Sequence, residues 1–169
     1  MNSDVTDVSE FSCSNGLFNK IQEITEWSML SNIFSVESDC PAREKYGYGG
    51  DMVTVSEAFM NNFDMSNFYQ KSVRDFANDA LPSGAMTEVA PNIGVNERGI
   101  EDGTGPVGWT LAHTFLLYQL YKYYGNIEIV KEQYTVLKKL IDFYNERTPV
   151  FLILVCICYH TSFQFSPTL

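Results

Sequence analysis

Apolar residues recur every three or four positions over most of this chain, and each recurrence stops at a turn signal. From Leu17 to Phe34 they fall at Leu17, Phe18, Ile21, Ile24, Trp27, Leu30, Ile33 and Phe34. That is the period of a helix with one face toward a core, opened by Ser14 or Asn15 as cap. On this reading Trp27 is a packing residue. A second helix runs through Val53, Val55, Phe59 and Met60, with Asp51 placed to cap it. Asp64 opens a third over Met65 to Asn78, with Phe68, Tyr69, Val73, Phe76 and Ala77 on one side, and Leu81-Pro82-Ser83-Gly84 ends it. A fourth starts at Pro106, which suits a first helical turn. It carries Leu111, Ala112, Phe115, Leu116, Leu120 and Tyr123, and stops at Gly125, a natural C-cap. Asn126 caps a fifth, with Ile127, Val130, Tyr134, Leu137, Ile141 and Tyr144 inward. The last two helices read as an αα-hairpin, and the lone helical His113 as a structural residue. About five helices in antiparallel pairs make the chain all-α.

Two stretches leave this period. Residues 4–12 alternate loosely and end at Phe11, as the last strand of an upstream β-domain would. Pro149 to Tyr159 is a near-continuous apolar run of about eleven residues, short of the roughly 20 a membrane-spanning helix needs. Its β-branched content suits a buried strand, and without a partner such a strand is an aggregation hazard.

Composition narrows the picture. At 169 residues and 45% hydrophobic content, the chain is long enough to bury one real core. A net charge of −10 argues against nucleic-acid or anionic-membrane partners, because phosphate contacts need clustered Lys and Arg. Cys13, Cys40, Cys156 and Cys158 lack the paired spacing of a zinc site. They read as free thiols, with a Cys13–Cys40 disulfide as the alternative, and neither a metal nor a cofactor is expected. The N-terminus lacks the basic start and apolar run of a signal peptide, and the chain has no Asn-x-Ser/Thr sequon. Those residues give secretion no support.

The chemistry concentrates in Ser38-Asp-Cys-Pro-Ala-Arg-Glu-Lys-Tyr-Gly-Tyr-Gly-Gly-Asp51. Pro41 pushes Cys40 out of the helical region, while Gly47, Gly49 and Gly50 open backbone conformations closed to other residues. A loop of this kind can turn Asp39, Glu44 and Asp51 toward one point. Neighbouring carboxylates raise one another's pKa, and a carboxylic acid kept protonated near neutral pH can act as a general acid. Arg43 is expected to offset part of the repulsion. Tyr46 and Tyr48 offer flat faces with a polar tip, suited to a sugar ring. The bland alternative is a solvated acidic loop with both tyrosines packed into the core. Residues 82–108 form the longest irregular stretch, and loops of that length in a compact domain are usually functional or disordered. Glu88, Asp102 and Trp109 are the chemical residues at hand there, the two acids reading first as solvated loop acids.

DCPAREKYGYGGD resembles the acidic loop of the bacterial and fungal α-L-rhamnosidase glycoside hydrolase family. The match holds at all three acids, spaced five and seven residues apart. It continues through Trp27-Ser-Met-Leu-Ser-Asn32, Pro106-Val-Gly-Trp109 and Leu120-Tyr-Lys-Tyr-Tyr-Gly125, and fades near residue 146. The resemblance implies the start of an (α/α)6 toroid, an incomplete barrel at residues 13–146. Residues 1–12 would be the end of an upstream β-domain, and 147–169 an apolar tail unlike the family. A departure from the coding frame, or unspliced sequence, is expected near Arg147. The implied general acid is Glu44. Asp39 and Asp51 would hold rhamnose hydroxyls, with Arg43 beside them. Tyr48, where the family usually has Trp, and Trp109 would form the stacking platform, and Asp102 and Glu88 would be minor contributors. The implied partner is a rhamnose-containing glycoside or polysaccharide, hydrolysed with inversion. The implied base is a Glu beyond residue 169, so this chain carries half an acid/base pair. A non-catalytic carbohydrate-binding remnant and an inactive truncation product are the alternatives.

Overall fold

The structure is a computed structural model that describes residues 2–95 and 99–147. It contains α1 (Gly16–Asn32), α2 (Gly49–Asn62), α3 (Ser66–Asn78), α4 (Val107–Thr110), α5 (Ala112–Tyr124) and α6 (Ile127–Arg147). Among the described residues there is no strand, only the isolated bridges Asp7–Phe63, Ile33–Glu37 and Tyr48–Val89. No helix among them is long and apolar enough to cross a membrane.

Six helices replace the expected five because the stretch after Pro106 breaks at Leu111. The Leu111 N–H donates to the Trp109 carbonyl, and the Thr110 hydroxyl takes the Val107 carbonyl at 3.0 Å. A side chain thus satisfies an acceptor that the helical ladder would otherwise use. Asn15 caps α1, its side chain accepting from the Leu17 N–H at 2.9 Å. Asp51 does not cap α2: Tyr48 holds that place and Asp51 lies in the first turn. Asp64 accepts from the Ser66 N–H at 3.0 Å, although Met65 is the N-cap of α3. Gly125, at φ +62°, ends α5 in the left-handed conformation, and Asn126 accepts from the Ile129 N–H at 3.2 Å.

α5 packs against both α2 and α3, and α6 covers α5 and α3. The core joins Met52, Phe59 and Met60 of α2 to Tyr69, Val73 and Phe76 of α3, Leu116 and Leu120 of α5, and Leu140 and Phe143 of α6. Each such side chain contributes about 1.5–3 kcal/mol on burial. Buried His113 contacts Gln133 Oε1 through Nε2 at 3.2 Å.

Two helices turn a different face inward from the one expected. On α1, Leu17, Phe18, Ile21, Ile24 and Trp27 are 50–69% exposed, so Trp27 is not packed. The half-buried seam includes Asn19, Gln22, Thr25, Glu26 and Met29, and of the expected stripe Leu30 packs against the core and Ile33 is buried; Gln22 donates to Asn62 of α2 at 2.6 Å. On α6 the buried residues are Ile129, Gln133, Leu140, Phe143 and Tyr144. Of the expected stripe only Tyr144 is buried. Ile127, Tyr134 and Ile141 are exposed, and Ile127, Val130 and Leu137 line an open groove of about 370 Å³ with residues of α5.

The N-terminal segment laces the ends of α1 and α2 together. Ser3 N–H donates to Ile33 O at 2.7 Å, Val8 N–H to Asn62 O at 2.9 Å, and Asp64 N–H to Thr6 O at 2.8 Å. Cys13 and Cys40 are free thiols. The apolar run 149–159, with Cys156 and Cys158, lies outside the described residues.

Candidate active site

The acidic loop is closed at its base by one residue pair. Asp39 N–H donates to Tyr46 O at 3.3 Å, and Tyr46 N–H returns a bond to Asp39 Oδ1 at 3.3 Å. Within the loop, Glu44 N–H donates to Cys40 Sγ at 3.1 Å, and Lys45 takes the left-handed conformation at φ +63°. The glycines serve another purpose than the one expected, since Gly47, Gly49 and Gly50 have no positive φ. They allow close approach. A Cβ would lie 2.5 Å from Ala90 O at Gly47, 2.1 Å from Trp109 O at Gly49, and 2.4 Å from Trp109 Cε2 at Gly50.

That approach brings the two halves of the site together. Gly49 N–H donates to Glu88 O at 2.8 Å, and Ala90 N–H to Gly47 O at 3.1 Å. The irregular stretch after residue 82 is thereby stitched along the entrance to α2. The Trp109 ring lies on Gly50, next to Asp51, and is 41% exposed. An aromatic face over a helix N-terminus that holds a carboxylate gives an apolar platform beside a hydrogen-bond acceptor.

The charges report the same convergence. Burial first, then the charge of Asp39 and, less, that of Glu44, raise Asp51 above the usual carboxylate range, while its own backbone N–H pulls it back. Burial, then the charges of Glu44, Glu88 and Asp39, raise the Tyr48 phenol. Asp39, Glu44, Asp51, Tyr48 and Glu88 thus share one electrostatic neighbourhood. The Tyr46 and Tyr48 rings lie 6.1 Å apart at 55°, both half-buried. Arg43 is exposed and makes no ion pair among the described residues, so the expected offset of the repulsion is not made by a salt bridge. Asp102 is exposed and has no hydrogen bond or ion pair among them, whereas its neighbour Glu101 binds Arg147 at 3.1 Å.

Sequence reasoning missed Glu37. It is 1% exposed and accepts from the Tyr69 hydroxyl at 2.7 Å. Burial, opposed by that hydrogen bond and reinforced by Asp51, raises it to about 7. Its only signal in the sequence is its place two residues before Asp39, just after the helix end.

The paired helices are those of a six-hairpin glycosidase fold. Residues 6–154 match the bacterial alpha-L-rhamnosidase six-hairpin glycosidase domain, and the chain belongs to that family. It is similar to an alpha-L-rhamnosidase of Formosa agariphila, 33% identical over 147 residues, covering 83% of this chain and 15% of the relative. Among solved structures it is similar to the alpha-L-rhamnosidase of Dictyoglumus thermophilum, with TM-score 0.79 and 32% identity over 88% of this chain and 16% of that one. The native rhamnosidase of Aspergillus terreus matches with TM-score 0.74 and 31% identity, over 83% and 16%. The Streptomyces avermitilis enzyme, solved with L-rhamnose, shares the fold at TM-score 0.78 and 24% identity, over 87% and 14%. The chain therefore spans about 15% of the length of the curated relatives it matches, and the helices described are part of a toroid.

Proposed function

We propose that this chain carries the acid half of an inverting α-L-rhamnosidase site, acting on terminal α-L-rhamnose of a glycoside or polysaccharide. The observation that supports it is the gathering of Asp39, Glu44, Asp51, Tyr48 and Glu88 into one neighbourhood beside Trp109. Glu44, exposed on the loop, protonates the leaving oxygen. Asp39 and Asp51 accept hydrogen bonds from the sugar hydroxyls, Arg43 flanks them, and Tyr48 and Trp109 stack on the ring. Glu88 adds charge at the rim, and Asp102 is the weakest member. Inversion needs a second carboxylate about 6.5–9.5 Å away, on the opposite face, to activate water. That base comes from outside these 169 residues, as the family resemblance implies.

Glu44→Gln tests the assignment. In a protein with both halves of the site, the variant should lose roughly 10²–10⁴-fold in release of a chromogenic aglycone from an α-L-rhamnoside, with rhamnose binding retained. Full activity in the variant would remove Glu44 from the role of acid. In this chain alone, rhamnose that raises Tm without aglycone release selects a binding remnant, and an absent cooperative melt selects an inactive product.

A further inference from the structure

Glu37 is buried within reach of the charge of Asp51, one residue of the proposed sugar site. Its backbone is bridged to Ile33, and the next residue, Ser38, donates its N–H to Asn32 O at 2.8 Å. The chain is thus pinned to the end of α1 and turns the Glu37 side chain into the protein body. There α3 supplies the Tyr69 hydroxyl, which donates to Oε2 at 2.7 Å, and α2 supplies Asp51, whose charge reaches Glu37. Oε1 has no hydrogen-bond partner among the described residues. Glu37 makes no ion pair among them either. A buried carboxyl facing another acid, with no cation to compensate, is costly to ionise. The bland reading is a polar tie between α3 and the segment after α1.

We propose that Glu37 is a positioning residue that acts through Asp51: uncharged, it leaves Asp51 free to carry the negative charge of the site. The proposal rests on the reading of Asp51 as a sugar ligand. When Glu37 releases its proton to water, a second negative charge appears within reach of Asp51. Sugar affinity then falls as pH rises through about 7, where burial places the Glu37 titration against the opposing Tyr69 hydrogen bond. Tyr69 and Asp51 are the titratable groups that face Glu37 in this account.

The test is carbon-detected NMR of the Asp51 and Glu37 carboxyls in this chain, from about pH 4 to about pH 9. Asp51 should show its own step and a second one coincident with Glu37, the second vanishing in Glu37→Gln. Tyr69→Phe, which removes a bond that favours the charged form, should move the second step to higher pH. This variant carries the same test if Glu37→Gln does not fold. A single Asp51 step in the wild type, or a second step that survives Glu37→Gln, overturns the proposal. In parallel, rhamnose affinity of the wild type should fall roughly tenfold between about pH 6 and about pH 8.5, while Glu37→Gln holds its affinity. An equal fall in both proteins also overturns it, because a merely structural tie has no titration to lose. No rhamnose binding at any pH, with the coupled Asp51 step intact, sinks the rhamnose reading and supports the Glu37–Asp51 coupling.

Discussion

At Gly50 a methyl group would meet the Trp109 ring, and at Gly49 it would meet the Trp109 carbonyl. The two substitutions differ in what can yield, since a ring can swing and a backbone cannot. Gly50→Ala should cost about 1–3 kcal/mol of stability by overpacking and shift the Trp109 fluorescence, while Gly49→Ala costs more. Equal, negligible losses in urea denaturation would contradict the packing described. Glu37 sets a second expectation. Its folded pKa of about 7 exceeds the ordinary 4.5, so the native state binds more protons than the unfolded chain between those values. Its stabilisation is whole below about pH 4.5 and is lost as pH rises through about 7, amounting to about 3 kcal/mol. Stability of Glu37→Gln should be flatter over that window. The same slope in both proteins would refute the assignment.

At the scale of the element, α1 and α6 show what a period can and cannot tell. Both were legible as helices, because apolar residues at three- and four-residue spacing have no other regular home. Which face would be buried was not. The apolar stripe of α1 lies outward from Leu17 to Trp27 and turns inward only at Leu30 and Ile33, while Gln22 bonds Asn62, and α6 buries Ile129 and Gln133 rather than Ile127 and Tyr134. A sequence shows that a face is apolar, but the neighbour that covers it is a long-range fact. Ile21→Gln combined with Ile24→Gln should therefore leave the stability of this chain within about 0.5 kcal/mol, whereas Leu116→Ala in the core should lose about 2–5 kcal/mol. Chemical denaturation of the three proteins checks the contrast, and a large loss in the α1 variant would mean its stripe is packed.

For the whole molecule, two apolar faces, the α1 stripe and the groove of α5 and α6, stand uncovered among the described residues. Faces of this kind belong against further structure. The site proposed above shows the same incompleteness in chemical form, with Glu44 as its proposed acid and no second carboxylate assigned opposite it. This chain by itself should turn over a chromogenic rhamnoside at least 10²–10⁴-fold more slowly than a family member carrying both groups. Comparable rates would show that a base lies within these 169 residues.

Local pattern alone was enough for the helices and the family. Local spacing specifies a helix, and thirteen residues from Asp39 to Asp51 carry rare types at fixed intervals. Tertiary structure decided which faces are buried, why the glycines at 47, 49 and 50 are needed, that Trp109 rests on Gly50, and that Glu37 is buried against Tyr69. Each of those depends on residues far apart in the chain approaching within a few ångströms, and the energy of such an approach is written in no single stretch of the sequence.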